Sequence, residues 1–135
     1  RMTAKVLYEG GLRCKAIHKK TGTLISTDAP LDNEGKGQAF SPTDLVATAL
    51  GSCMLTIMGI AARNHKIDIN GTTAEITKTM ASDPRRISKL EVLIHFANEH
   101  TPKDRKILEA ATHGCPVGRS LHLDLEKTVS FVYPN

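Results

Sequence analysis

Apolar residues alternate with polar ones along most of this chain, and one central run breaks the rule by carrying no charge at all. Leu90, Val92, Ile94 and Phe96 interleave with Lys89, Glu91 and His95, a period of two that predicts a half-buried strand. Before it, "TTAEITKTM" places Ala74, Ile76 and Met80 on one side, and Asp83 with Pro84 supplies the turn between the two segments. Near the C-terminus Leu121, Leu123, Leu125, Val129, Phe131 and Tyr133 share one parity, broken only by Lys127. That pattern predicts one long half-buried strand over residues 121–133. At the other end "TAKVLYE" predicts a first strand, and "LRCKAIHK" with "GTLISTD" a hairpin closed around "KTG".

The uncharged run is "LVATALGSCMLTIMGIAA", Leu45 to Ala62. Its length reaches the lower limit for a membrane span, but Thr48, Ser52, Thr56, Gly51 and Gly59 dilute it and no aromatic belt flanks it. It is expected to be the central helix of a compact domain, with Leu45, Val46, Ala49, Leu50, Ile57 and Ile60 in the stripe that carries Cys53. Its many small residues predict close approach of other backbone, such as a partner subunit. Ser41 is a natural N-cap, Pro42 fits the first helical position, and Asp44 suits the positive end of the dipole. A second helix is predicted in "TPKDRKILEAATHG", from the Thr101 cap to a stop at Gly114. Strands, long helix, strands, helix and strand describe an α+β fold, with antiparallel sheet packed on helices in one domain over residues 1–135. The polar loop "APLDNEGKGQAF", residues 29–40, leads into the long helix and is expected to rim a site.

Composition narrows the function classes. Among 135 residues, 18 Lys and Arg stand against 14 Asp and Glu, and the basic residues are scattered rather than striped. With two Tyr, three Phe and no Trp there is little to stack on bases, so nucleic acid is not an expected partner. Arg1 ahead of Met2 reads as an expression remnant and is set aside. Three cysteines without a secretory signal pattern argue against a disulfide scaffold and for a reducing, cytoplasmic setting.

The cysteines carry the candidate chemistry. Cys53 taken alone reads as a core residue within the long helix, where burial raises a thiol's pKa. Cys115 sits in "THGCPVGRSL", between the stop at Gly114 and a new turn begun by Pro116, so helix N–H groups can stabilise its thiolate. No Cys-x-x-Cys, G-x-S-x-G, Walker or Rossmann pattern occurs. Zinc on Cys53, His113 and Cys115 would lack a fourth ligand. Cys14, beside Arg13 on a strand, points to the opposite face and reads as structural.

The pair "SPTDLVATALGSC" and "HGCPVGRSL" resembles the two signatures of the OsmC/Ohr family of thiol-dependent peroxide reductases, and the resemblance runs along the whole chain. It implies an OsmC-like fold and an intertwined homodimer with the site at the subunit interface. It implies also a peroxidase of organic hydroperoxides that needs no cofactor and no metal. By the family pattern Cys53 attacks the peroxide and becomes a sulfenic acid. Cys115 then condenses with it to a disulfide, which a dithiol reductant of lipoyl type reopens. Thiol chemistry agrees, since the thiolate is the nucleophile and a second thiol captures sulfenic acid before overoxidation.

The resemblance also asks for a cation from the N-terminal strands, here Arg13, paired to a Glu near the start of the long helix. This chain departs from the pattern there. The Glu position is Thr43, and the nearest acid is Asp44, turned by about 100° on a helix. The displaced acid sustains a second expectation: a redox-sensing or apolar-ligand-binding protein of the same fold with weak or no peroxidase activity.

Overall fold

A turn at Gly11–Leu12 and a second at Lys19–Thr21 fold the first 28 residues into a three-stranded antiparallel sheet. The computed structural model describes all residues, Arg1–Asn135. Strands β1 (Ala4–Gly10), β2 (Arg13–His18) and β3 (Leu24–Asp28) pair in chain order. Gly10, at φ +85°, absorbs a register shift in the β1–β2 pairing, a backbone conformation that favours glycine. The hairpin expected around "KTG" is present, and its register sets Arg13 directly opposite Asp28.

That pairing organises the chain beyond β3. Arg13 donates from Nε and Nη2 to the two carboxylate oxygens of Asp28, at 2.7 and 2.8 Å. Asp28 also accepts from the Gln38 backbone N–H at 2.9 Å, while its own N–H donates to the Phe40 carbonyl at 3.0 Å. The polar loop of residues 29–40 is thus tied back to the end of β3, and it contains a short 3₁₀ turn at Leu31–Asn33. Ser41 then starts helix α1 (Pro42–Asn64) with a reciprocal cap. Its hydroxyl accepts from Asp44 N–H at 3.0 Å, and the Asp44 carboxylate accepts from Ser41 N–H at 3.0 Å.

The chain gathers into two compact units, Arg1–Val46 and Ala47–Asn135. In the second, α1 buries Ala47, Leu50, Gly51, Met54, Met58 and Ala62, spaced as one helical stripe. The expected stripe is met in part: Leu50 is buried, Leu45, Val46 and Ile57 are half-buried, and Ala49 and Ile60 are exposed. A helix apolar nearly all round offers several stripes, and packing selects one. By length and composition α1 could span a bilayer, but here the stripe joins the same core cluster as Leu90, Val92 and Ile94.

Those three residues come from β5 (Arg86–His95), the middle strand of the order β4–β5–β6. Strand β4 (Thr73–Ala81) pairs with it antiparallel, as expected from the Asp83–Pro84 turn. Strand β6 (Glu126–Val132) runs parallel to β5, so this sheet is mixed rather than antiparallel. The reason is connectivity: between them lie α2 (Pro102–Ala111) and α3 (Pro116–Ser120), a crossover that returns the chain in the same direction. The predicted strand over 121–133 is shortened for a related reason. Leu121–Leu125 leave α3 through a turn closed by Leu125 N–H on the His122 carbonyl, and Leu123 is 95% exposed. Their shared parity with β6 had no sheet behind it.

Gly51 accounts for one small residue of α1 within this unit, because a Cβ there would run into the side chain of Ile76 on β4. Gly51→Val is therefore expected to destabilise the fold by about 1–3 kcal/mol through overpacking. Adding Ile76→Ala should recover part of that loss, as read by urea denaturation. Lack of coupling between the two substitutions would refute the contact. A second expectation concerns Asp28, whose carboxyl lies below its ordinary value, chiefly through the Arg13 hydrogen bonds and against the opposing effect of burial. A depressed carboxylate stabilises above the unfolded value of about 3.9 and loses that contribution as pH falls through the folded value. The urea midpoint should fall below about pH 4, and Asp28→Asn should lower it at neutral pH while shrinking the acid dependence.

Candidate active site

The second unit brings Cys53 and Cys115 together by two independent local choices. Cys53 lies one residue from buried Met54 on α1, so it sits at the border of the buried stripe and is half-buried. Cys115 arrives from the other direction. Thr101 caps α2 by accepting from Asp104 N–H, and after Ala111 the chain tightens into a 3₁₀ turn, Thr112–Gly114. Buried Thr112 holds that turn by donating its hydroxyl to the Glu109 carbonyl at 2.7 Å. Cys115 is then extended, at φ −66° and ψ 116°, and serves as the N-cap of α3 with Pro116 in the first turn. Gly118 completes the approach: a Cβ there would lie 3.5 Å from Leu50 Cδ1, so α3 rests against α1.

All three cysteines are free thiols. The Cys115 sulfur accepts from Gly118 N–H at 3.4 Å, the helix-terminus interaction expected from the sequence. Its direction is as expected, since the Gly118 and Val117 N–H groups favour the thiolate. Its net effect is not. Burial, with 2% of the residue exposed, pushes the Cys115 thiol above its ordinary value, and a hydrogen bond to Cys53 pushes it further. Desolvation outweighs the end of a helix only five residues long. The balance favours the protonated thiol at Cys115, beside Cys53.

Arg13 and Asp44 belong to the other unit. Arg13 is gripped by Asp28, an acid that the sequence reading did not single out. The hairpin itself was the available signal, because pairing its strands around "KTG" sets positions 13 and 28 opposite each other. Asp44 is engaged at the cap of α1, through Ser41. Cys14 is half-buried on β2, opposite Tyr8 and Thr27. A cavity of about 430 Å³ borders Cys115, and Met54 is the contribution of α1 to its wall.

Comparison with known proteins places this geometry. A family model described as OsmC-like protein matches residues 35–129. A crystal structure from Psychrobacter arcticus 273-4, described as an osmotic stress induced and detoxification response protein, is 53% identical. It superposes with a TM-score of 0.94 over 97% of this chain and 96% of that one. An organic hydroperoxide resistance protein of Legionella pneumophila shares the fold at 16% identity, with a TM-score of 0.72 and 97% of each chain covered. So does one from Elizabethkingia anophelis with thiocyanate bound, at 15% identity and TM-score 0.73, covering 99% of this chain and 98% of that one. No functionally curated protein matches. The match over most of the chain, and the relative sharing half its residues, show that the chain belongs to the OsmC-like protein family.

Proposed function

We propose that this protein is a two-cysteine peroxidase that reduces organic hydroperoxides. The observation that carries the reading is the adjacency of Cys53 to the buried Cys115, whose thiol burial and Cys53 together push above its ordinary value. In the first step the Cys53 thiolate attacks the distal peroxide oxygen. The O–O bond breaks, the alkoxide takes a proton to leave as alcohol, and Cys53 becomes a sulfenic acid. Cys115 cannot compete for peroxide because its proton is held by burial and by Cys53. Oxidation of Cys53 to a neutral sulfenic acid removes the negative charge that helped to hold that proton. Cys115 then attacks the Cys53 sulfur and its proton leaves with the hydroxide as water. One hydroperoxide and two thiols yield alcohol, water and one disulfide, which an external thiol must reopen.

Arg13 and Asp44 enter by the family pattern alone. Arg13 is the proposed activating cation, and Asp28 keeps its guanidinium charged and oriented through two hydrogen bonds. A homodimer is likewise proposed, and exposed apolar surface supports it. On β1, Val6 and Tyr8 project from one face and Leu7 from the other, each more than half exposed, with Leu24, Ile25 and Phe40 also exposed in this unit. A sheet that is apolar on both sides needs a cover.

Cys53→Ser is expected to reduce cumene hydroperoxide consumption to the uncatalysed background. Cys115→Ser should consume about one equivalent and stop, with a sulfenic acid on Cys53 trapped by dimedone. In the same assay Arg13→Ala should slow the first equivalent, as it should slow alkylation of Cys53 at neutral pH. Wild-type rates in both cysteine variants would refute the peroxidase and leave the redox-sensing or ligand-binding reading. Sedimentation analysis of the 14.7 kDa chain should return twice that mass. A monomer would refute the dimer.

A further inference from the structure

The cavity beside Cys115 differs in chemistry from the apolar surface of α1. Cys115 lines it together with His113, Arg119 and Lys127, while Met54 and Val129 supply its apolar wall. No carboxylate borders it. The acid next in sequence to Lys127, Glu126, is turned to Lys89 at 3.5 Å. Arg119 and His113 are exposed at the rim, and the Lys127 ammonium makes one long contact, 3.4 Å to the Leu125 carbonyl. Cys53 is not among the residues that line the cavity. A small cavity with basic walls and low-dielectric backing concentrates anions, and here it concentrates them next to one sulfur of the pair.

We infer that this cavity docks a carboxylate-bearing low-molecular-weight thiol, and that this thiol reopens the disulfide by attacking Cys115. The inference rests on the two-cysteine reading and names the class of reductant. The docked thiolate bonds to the Cys115 sulfur, the Cys53–Cys115 bond breaks, and Cys53 leaves with the electron pair as thiolate. A second thiolate attacks the docked sulfur of the mixed disulfide, giving a low-molecular-weight disulfide and the Cys115 thiolate, which takes up a proton. Two thiols are oxidised and one protein disulfide is reduced. Delivery to Cys115 returns Cys53 first, in the ionised form that meets the next peroxide.

The test uses the full chain oxidised with diamide, so that bridge formation does not depend on peroxide. After removal of oxidant, reduction by mercaptosuccinate, 2-mercaptoethanol or cysteamine is tracked by acid quench, alkylation and intact mass. Normalised to thiolate concentration, mercaptosuccinate should be about tenfold faster than 2-mercaptoethanol at low salt, with cysteamine slowest. About 0.5 M KCl should remove most of that advantage. Arg119→Glu with Lys127→Glu should abolish it, and the milder Arg119→Ala should reduce it, while all variants consume the first equivalent of peroxide normally. Rates independent of thiol charge, or an advantage that survives the double variant, would overturn this inference alone. If diamide forms no Cys53–Cys115 bridge, this inference and the peroxidase both fall. A bridge made by diamide but not by peroxide, and opened preferentially by mercaptosuccinate, would support the cavity while sinking the peroxidase.

Discussion

The placement of both thiols depends on which stripe of α1 is buried. Ala47, Leu50, Gly51, Met54, Met58 and Ala62 turn inward together, in one cluster with Leu90, Val92 and Ile94 of β5 and Leu108 of α2. Full burial of a single Leu or Met is worth about 1.5–3 kcal/mol, so several acting together hold the helix against rotation. A rotation by one residue, about 100°, would replace Met54 with Cys53 in the core and move Leu50 into the place of Gly51, against Ile76. Because Met54 takes the central place, Cys53 is left at the border, half-buried. A thiol in the middle of the stripe would be inert, and one on the far side would find no second cysteine.

The second thiol is set by a tension between two local effects. The N-terminus of α3 offers backbone N–H groups to Cys115, yet burial dominates and the proton stays. The outcome is an asymmetric pair, one sulfur at the edge of solvent and one inside, with its pKa raised. Identical residue types thereby acquire different environments from their surroundings. The same geometry sets Cys115, rather than Cys53, against the basic cavity between α3 and β6.

Electrostatics matter differently in the N-terminal unit. Asp28 is nearly inaccessible, whereas Arg13 is 38% exposed, so the pair lies at the boundary between core and solvent. Its geometry, two parallel N–H···O bonds, is the strong and directional form of an ion pair. Asp28 also accepts from Gln38, so one buried carboxylate links two strands to the loop that feeds α1. Ser41 and Asp44 continue the chain of hydrogen bonds into the helix.

Local chemistry made much of this protein readable from its sequence. The caps at Ser41 and Thr101, the turns at "KTG" and Asp83–Pro84, and the alternation of β4 and β5 each depend on residues close together in the chain. The two signatures around Cys53 and Cys115 identified the family for the same reason, since each is a short contiguous motif. Other features were decided only in three dimensions. Parity could not distinguish β6 from the exposed turn at Leu123, because alternation records side-chain direction and not the presence of a neighbouring strand. Uniform apolarity could not select the buried stripe of α1, because every face was admissible until β5 and α2 supplied a surface. Proximity to a helix N-terminus could not fix the charge of Cys115, because desolvation depends on everything packed around the sulfur. The sequence by itself determined most of the elements and, through two contiguous motifs, the family. Tertiary packing decided which sulfur is buried, which acid holds Arg13 and which walls are basic, because those properties arise between residues far apart in the chain.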